Sequence, residues 1–183
     1  NDFRSTVNSR AVNITLVDAN DIELGTTTAA GGQSVTARDG SISDTGEDGF
    51  NEAFFALAQV DGFVQNQGAT IAGVTNLSSL TVDAAGAGRT TDRGDIVLDN
   101  VLNDFQGAVN SDGEDITLVD ANDMELGRSR AHGQLNVRAI SGSISDSGVQ
   151  TVDLDTNLIA EQNIALDTRQ NDFKGRVNSD GVN

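Results

Sequence analysis

The sequence predicts an all-β protein, a parallel β-solenoid whose short strands stack turn upon turn with about 20 residues in each turn. Three observations predict it: long tandem repeats, a shorter rhythm of apolar residues inside them, and an unusual composition. The 183 residues include 20 Gly but only seven Phe, and they include no Cys, Pro, Trp or Tyr. A thick globular core usually depends on aromatic side chains, whereas small and β-branched residues suit the thin layers of a solenoid.

The long repeats are visible at a fixed offset. Residues 1–46 align without a gap on residues 103–148, and 27 of the 46 positions are identical. The block ITLVDANDIELG, from Ile14, recurs as ITLVDANDMELG, and GSISDTG recurs as GSISDSG. The motif NDF opens at residues 1, 103 and 171. We therefore expect one continuous solenoid over residues 1–183, made of a long unit (1–102), a short unit (103–170) and the start of a third copy (171–183).

A shorter rhythm runs inside each unit. Apolar pairs separated by one residue recur about 20 residues apart, and in each of them the outer two side chains should point inward. Polar turn-formers separate these segments, so we expect two short strands per turn, with turns about 4.8 Å apart. The pairs are Ile96/Leu98, Ile116/Leu118 and Val137/Ala139, and a second series at the same spacing is Phe105, Met124 and Ile144.

The pattern also predicts the core. One turn cannot cover its own apolar face, but the turns above and below it can. The three Phe of the NDF motifs are expected to share one inward position. The predicted inward residues are Phe3, Ile14, Leu16, Ile22, Leu24, Val35, Ala37 and Ile42 in the first unit, Phe105, Ile116, Leu118, Met124, Leu126, Val137, Ala139 and Ile144 in the second, and Phe173 in the third.

Residues 47–79 form an insertion that has no counterpart in the second unit. It holds four of the seven Phe, and residues 51–60 resemble a short helix, with Asn51 near its start and Asp61-Gly62 at its end. Two interpretations are open: the aromatic residues cover a side or seam of the solenoid, or they form a contact site for a ligand or a neighbouring filament. The candidate contact residues are Phe50, Phe54, Phe55 and Phe63.

The charge of the chain is one-sided, with 28 acidic and 11 basic residues and a net charge of −17. This argues against nucleic acid and anionic membrane surfaces as partners, and no apolar run is long enough for membrane insertion. Of the acids, 22 are Asp, a turn-forming residue. The runs that contain Asp112, Asp115, Asp120 and Asp123 suggest a calcium site. Turn chemistry alone is the competing explanation.

Catalytic chemistry is not expected, and neither is a cofactor. The chain has one His, His132, and one Lys, Lys174. His132 aligns with Ala30 in a variable turn, which predicts a solvated loop residue. The acids around Asp18 recur in the second unit, as repeat-forming residues do and a single active site does not. A β-helix protein that binds or degrades polysaccharide is the alternative function.

The blocks ITLVDANDIELG and GSISD, with the strand from Gly133 to Ala139, resemble the repeat regions of filamentous-haemagglutinin-like exoproteins and large autotransporter-type adhesins. The resemblance covers residues 1–46 and 81–183. It implies a right-handed parallel β-helix that is secreted or displayed on a bacterial cell surface and acts as a stalk or filament for adhesion or fibre assembly. Its partners would be further copies of the repeat in the same chain or end-to-end neighbours in a filament, and a host-surface or carbohydrate ligand. Because the last copy stops at Val182-Asn183, we expect an Ile-Thr-Leu-Val-Asp-like segment to follow.

Overall fold

The chain forms a β-solenoid with three sides. The structure is a computed structural model that describes residues 1–29, 33–38, 42–44, 48–50, 54–58, 62–65, 69–71, 75–79 and 94–182. In one turn, the chain runs along three strands in succession: Val109–Gly113, Ile116–Asp120 and Met124–Leu126. The next turn then begins, because Ser129 pairs with Ser111 one turn below. Every strand pair that the structure describes is parallel, as expected for stacked turns.

Side one is the ladder that begins with the first ITLVD block. Each strand pairs with the strand one turn above it, for example Gln33 with Phe54 and Phe54 with Thr75. Its strands are β2 (Ile14–Asp18), β4 (Gln33–Ala37), β7 (Phe54–Ala58), β10 (Thr75–Ser79), β13 (Val109–Gly113), the second half of β15 (Met124–Ala131), β18 (Gln150–Val152) and β21 (Asp172–Phe173).

Side two contains the second ITLVD block. Its pairing passes from strand to strand without a break, and each pairing advances the register by one turn, as from Ile116 to Leu135 to Thr156. Its strands are the first half of β3 (Ile22–Ala29), β5 (Ile42–Asp44), β8 (Gly62–Gln65), β11 (Asp95–Leu98), β14 (Ile116–Asp120), β16 (Leu135–Ala139), β19 (Thr156–Ala160) and β22 (Val177–Asp180).

Side three closes each turn between side two and side one. The two longest strands, β3 and β15, pass around a corner of the coil, so each of them belongs to two sides. The strands of side three are β1 (Val7–Ala11), the second half of β3, β6 (Asp48–Phe50), β9 (Ala69–Ile71), β12 (Asp104–Phe105), the first half of β15, β17 (Ile144–Asp146) and β20 (Ile164–Ala165).

The core is a set of apolar columns that run along the axis. On side two, Leu98, Leu118, Val137 and Leu158 follow one another in register, and each is at most 2% exposed. The inward positions predicted from alternation are confirmed, although Phe3, Leu16 and Phe173 are only partly buried against the core. Because each column stacks apolar side chains of successive turns one strand spacing apart, short apolar strands are enough to exclude water.

Two expectations were wrong. The helix predicted over residues 51–60 is absent from the described part of that segment, because Phe54–Ala58 is strand β7. Its backbone pairs with β4 below and β10 above, and that pairing overrides the helical propensity of Ala and Leu. A turn also contains three short strands, one on each side, where two were expected, as β16, β17 and β18 show. In the described part of the chain, no helix is long and apolar enough to cross a membrane.

Candidate functional site

A buried carboxylate holds each of the first two NDF motifs in place. Asp120, at the end of β14, is fully buried. Its Oδ2 accepts the backbone N–H of Phe105 at 3.0 Å, and its Oδ1 accepts the N–H of Asn122 at 2.9 Å. The first copy has a closely similar arrangement: Asp18, also fully buried, accepts the N–H groups of Phe3 at 2.8 Å and of Ala19 at 2.6 Å. We call this arrangement the NDF latch.

Burial raises the pKa of Asp120 to about 6, although the hydrogen bonds from Asn122 and Phe105 act in the opposite direction and the nearby charges of Asp104 and Asp123 add to the rise. Removing a carboxylate from water disfavours its charged form unless hydrogen bonds replace the lost solvation. Both oxygens of this carboxylate are already used by backbone donors. The arrangement therefore suits a structural role rather than that of a catalytic acid.

Asn and Asp side chains join each turn to the next by accepting a hydrogen bond from a backbone N–H of the neighbouring turn. We call each such hydrogen bond an Asx stitch. Asn110 accepts the N–H of Arg128 at 2.7 Å, and Asp115 accepts the N–H of Gln134 at 2.7 Å, each about one turn away. On side two, the side-chain amide of Asn178 donates to Asn157 Oδ1 at 2.9 Å, and that of Asn157 donates to Asn136 Oδ1 at 2.8 Å. Further residues that accept a backbone N–H from the adjacent turn are Asn8, Asp95, Asp123, Asp146, Asp155 and Asn171.

The glycine after each MEL or IEL segment makes room for one of these stitches. A Cβ at Gly127 would collide with the carboxamide oxygen of Asn110, and a Cβ at Gly25 would collide with that of Asn8. The two copies therefore share one close approach between a corner amide and the strand above it. Glycine is required here because its backbone can lie directly against another group.

The four carboxylates of the calcium hypothesis have different environments. Asp115 and Asp123 accept backbone N–H groups at corners, Asp120 is buried in the NDF latch, and Asp112 lies on the outer face of side one near His132. Within the described ranges, no group of three or more His, Asp or Glu could hold a metal ion. Three of the four carboxylates thus accept backbone N–H groups, and calcium binding stays a prediction.

A charged row on side one was not recognised in the sequence. His132 follows β15 with 20% of its side chain exposed, and its Nε2 accepts a hydrogen bond from Arg130 Nε at 3.2 Å. Its Nδ1 lies 3.6 Å from Asp153, which also pairs with Lys174 at 2.5 Å. The Lys174 ammonium lowers the pKa of Asp153, and Asp153 in turn raises the pKa of Lys174. Because these residues come from successive turns, only the turn register could have revealed the row.

The aromatic contact candidates lie in strands of the insertion. The backbone of Phe50 belongs to β6, that of Phe54 and Phe55 to β7, and that of Phe63 to β8. Their side chains lie outside the described part of the structure. The insertion therefore supplies strands to all three sides, and the contact-site hypothesis stays a prediction.

Comparison with known proteins identifies a family but no function. Residues 11–48 and 113–180, more than half of the chain, match the model of a family described as repeats of unknown function, DUF5649. Neither the curated proteins nor the solved structures contain a match to this chain. The matched ranges include β2 to β5 and β14 to β22, together with the buried carboxylates of both NDF latches, Asp18 and Asp120.

Proposed function

We propose that this chain, which belongs to the DUF5649 family of repeats, is a segment of a stiff, non-catalytic shaft in a fibrous protein. The observation that supports it is the unbroken parallel pairing of side two, which passes from β3 through every turn to β22. A fold of this kind grows in one dimension, because each turn contacts only its neighbours.

Stiffness follows from how the turns are joined. The apolar columns exclude water inside the coil, and the Asx stitches join neighbouring turns at the corners. Each stitch to a backbone N–H contributes about 0.5–1.5 kcal/mol. A shaft joined at both its core and its corners resists bending more than one joined by core packing alone.

We further propose that the shaft is secreted or displayed on a cell surface and acts in adhesion or fibre assembly. The similarity of its repeats to filamentous-haemagglutinin-like exoproteins supports this, as does the net charge of −17, which favours a soluble, mutually repelling surface. Its partners would be further copies of the repeat in one chain or end-to-end neighbours in a filament, and a host-surface or carbohydrate ligand contacted at the insertion.

The adhesive part of this proposal is tested with point variants rather than deletions, because deleting residues 47–79 would remove strands β6 to β10 from the stack. Binding of the chain to a carbohydrate array or to host cells is measured with Phe55 replaced by Ser. The position of Phe55 pairs with Ser34, which is partly exposed, whereas that of Phe63 pairs with Ile42 and Ile96, which are fully buried. Loss of binding with an unchanged unfolding midpoint supports a contact site there. Unchanged binding, or no binding by the parent chain, contradicts it.

The shaft itself is tested with concatemers. Four, eight and twelve copies of the short unit, 103–170, are joined directly, since Asn171 restarts the motif that begins at Asn103. Each copy makes a little over three turns, so we expect the maximum dimension from small-angle X-ray scattering to grow by about 16 Å per copy. A compact protein would instead increase its radius of gyration only about 1.3-fold for each doubling of its length. Growth of the second kind would overturn the proposal.

A further inference from the structure

Equivalent strands of successive copies lie on different sides of the coil. The VNS segment after the second NDF motif is β13, on side one, where it pairs with the second half of β15. The same segment after the third NDF motif is β22, on side two, where it pairs with β19. The two copies are therefore related by an advance along the axis and also by a rotation of one side.

The register of the strands explains this rotation. Three complete turns on side one are marked by successive pairings that connect Asp112, Arg130, Thr151 and Asp172. Asp172 therefore lies directly above Asp112, three turns along the axis. The counterpart of Asp112 in the next copy, however, is Asp180, since both follow the sequence VNS. Asp180 comes later in the chain than Asp172 and lies on side two, opposite Ile159. The short unit is thus longer than three turns by about one side.

The other repeated strands advance in the same direction. The ITLVD strand is on side one as β2 and on side two as β14. The ISD strand is on side two as β5 and on side three as β17. The VNS strand of the first copy, β1, lies on side three, one side before β13. The comparisons across the long unit thus give the same rotation, by one side, as the comparison across the short unit.

Equivalent side chains consequently meet different neighbours. Asn110, on side one, accepts the backbone N–H of Arg128 at 2.7 Å. Its counterpart Asn178, on side two, donates to the side chain of Asn157 at 2.9 Å.

From this register we propose that tandem copies of the short unit form a screw of three sides, in which each copy is turned by one third of a revolution and raised by about 16 Å. The fourth copy then returns to the side of the first. This inference rests on the proposed shaft, and it adds that the shaft has no single functional side. A repeat-encoded surface such as the Asn122-Asp123 turn faces three directions in succession, so a partner that recognises it meets the shaft from every direction.

The screw is tested by distances between spin labels in the eight-copy concatemer. Gln106 is exposed, and Gln106→Cys is introduced in two chosen copies, so that double electron–electron resonance reports the distance between them. Labels in neighbouring copies should lie beyond roughly 25 Å, because a rotation across the coil adds to the axial rise. Labels three copies apart should lie about 50 Å apart on the same side.

The possible outcomes separate the two proposals. A distance of about 16 Å between neighbouring copies, with about 50 Å across three copies, would mean a straight shaft whose copies share one side, and would overturn the screw alone. Distances that do not grow with the number of intervening copies would overturn the shaft as well. A single-copy Gln106→Cys variant with an unchanged unfolding midpoint shows that the label itself is tolerated.

Discussion

Leu16 and Leu118 occupy the same position in two copies of one block, ITLVD, yet they differ in burial. Leu118 is fully buried, whereas Leu16 is only partly buried against the core. Among the described strands, β14 pairs with both β11 and β16, while β2 pairs with β4 alone. The strands have the same sequence, so the difference comes from the turns that cover them. Burial in this fold is supplied by neighbours.

The same two copies also differ on their outer faces. Thr26 and Thr28 of the first copy, which face solvent, correspond to Arg128 and Arg130 of the second. The two NDF latches, in contrast, use the same residue type, and each accepts two backbone N–H groups. Positions that set the turn are copied, and most of those that face solvent vary. The shape is thus specified by inward and corner residues, and the outer faces are left for other roles.

The largest effect should come from shortening a column residue. Leu118→Ala removes a fully buried side chain, and we expect a loss of about 2–5 kcal/mol in the free energy of unfolding from urea titration. Leu16→Ala should cost clearly less, because Leu16 is partly exposed already. Equal losses at the two sites would contradict the conclusion that stacked neighbours determine burial.

The NDF latch should behave alike in both copies. Asp120→Ala leaves the N–H groups of Phe105 and Asn122 without their acceptor, and we expect a loss of about 2 kcal/mol or more. Asp18→Ala should cost a similar amount, since Asp18 has the same burial and the same number of donors. Asp123→Ala is the control, because it removes one exposed stitch to Ser143. If all three variants lost the same free energy of unfolding, the burial of Asp18 and Asp120 would add nothing to the stability of the latch.

The pH dependence of stability sharpens the account of Asp120. Because burial raises its pKa from 3.8 to about 6, the folded chain holds this proton more tightly than the unfolded chain. The stability that this bound proton gives the folded chain is fully present below pH 3.8 and is lost as the pH rises to about 6. Asp120→Asn should therefore lose less stability than the parent chain across this window, in unfolding titrations at each pH. Parallel curves for the two proteins would contradict the shifted pKa.

The smallest effect should come from the charged row. Exposed ion pairs contribute little to stability, so Lys174→Ala should leave the unfolding midpoint unchanged. The carboxyl resonance of Asp153, followed by NMR, should titrate at a higher pH in the variant, since Lys174 lowers the pKa of Asp153. Arg138→Ala, on another side, is the control and should leave that titration unchanged.

The sequence was sufficient to predict the solenoid and its core, because the alternation of apolar and polar residues marks inward residues such as Ile116 and Val137 on any side of the coil. It misled at Phe54–Ala58, where local helical propensity is overridden by pairing with strands one turn away on either side. The charged row around His132 depends on the same distant register. The rotation of the copies had a visible signal, since the distance from Asn103 to Asn171 is not a whole number of the predicted turns. With two strands expected per turn, that spacing did not indicate a rotation by one of three sides.

The central claim is that each turn lies directly on the one before it in parallel register. NMR cross-relaxation between backbone protons tests it most directly in β14, β16 and β19. We predict amide-to-α-proton contacts that connect Leu118 with the neighbours of Val137, and Val137 with those of Leu158, as the register requires. Strong contacts between α-protons of facing residues are the signature of antiparallel pairs. Such contacts, or none between these strands, would contradict the stacked solenoid.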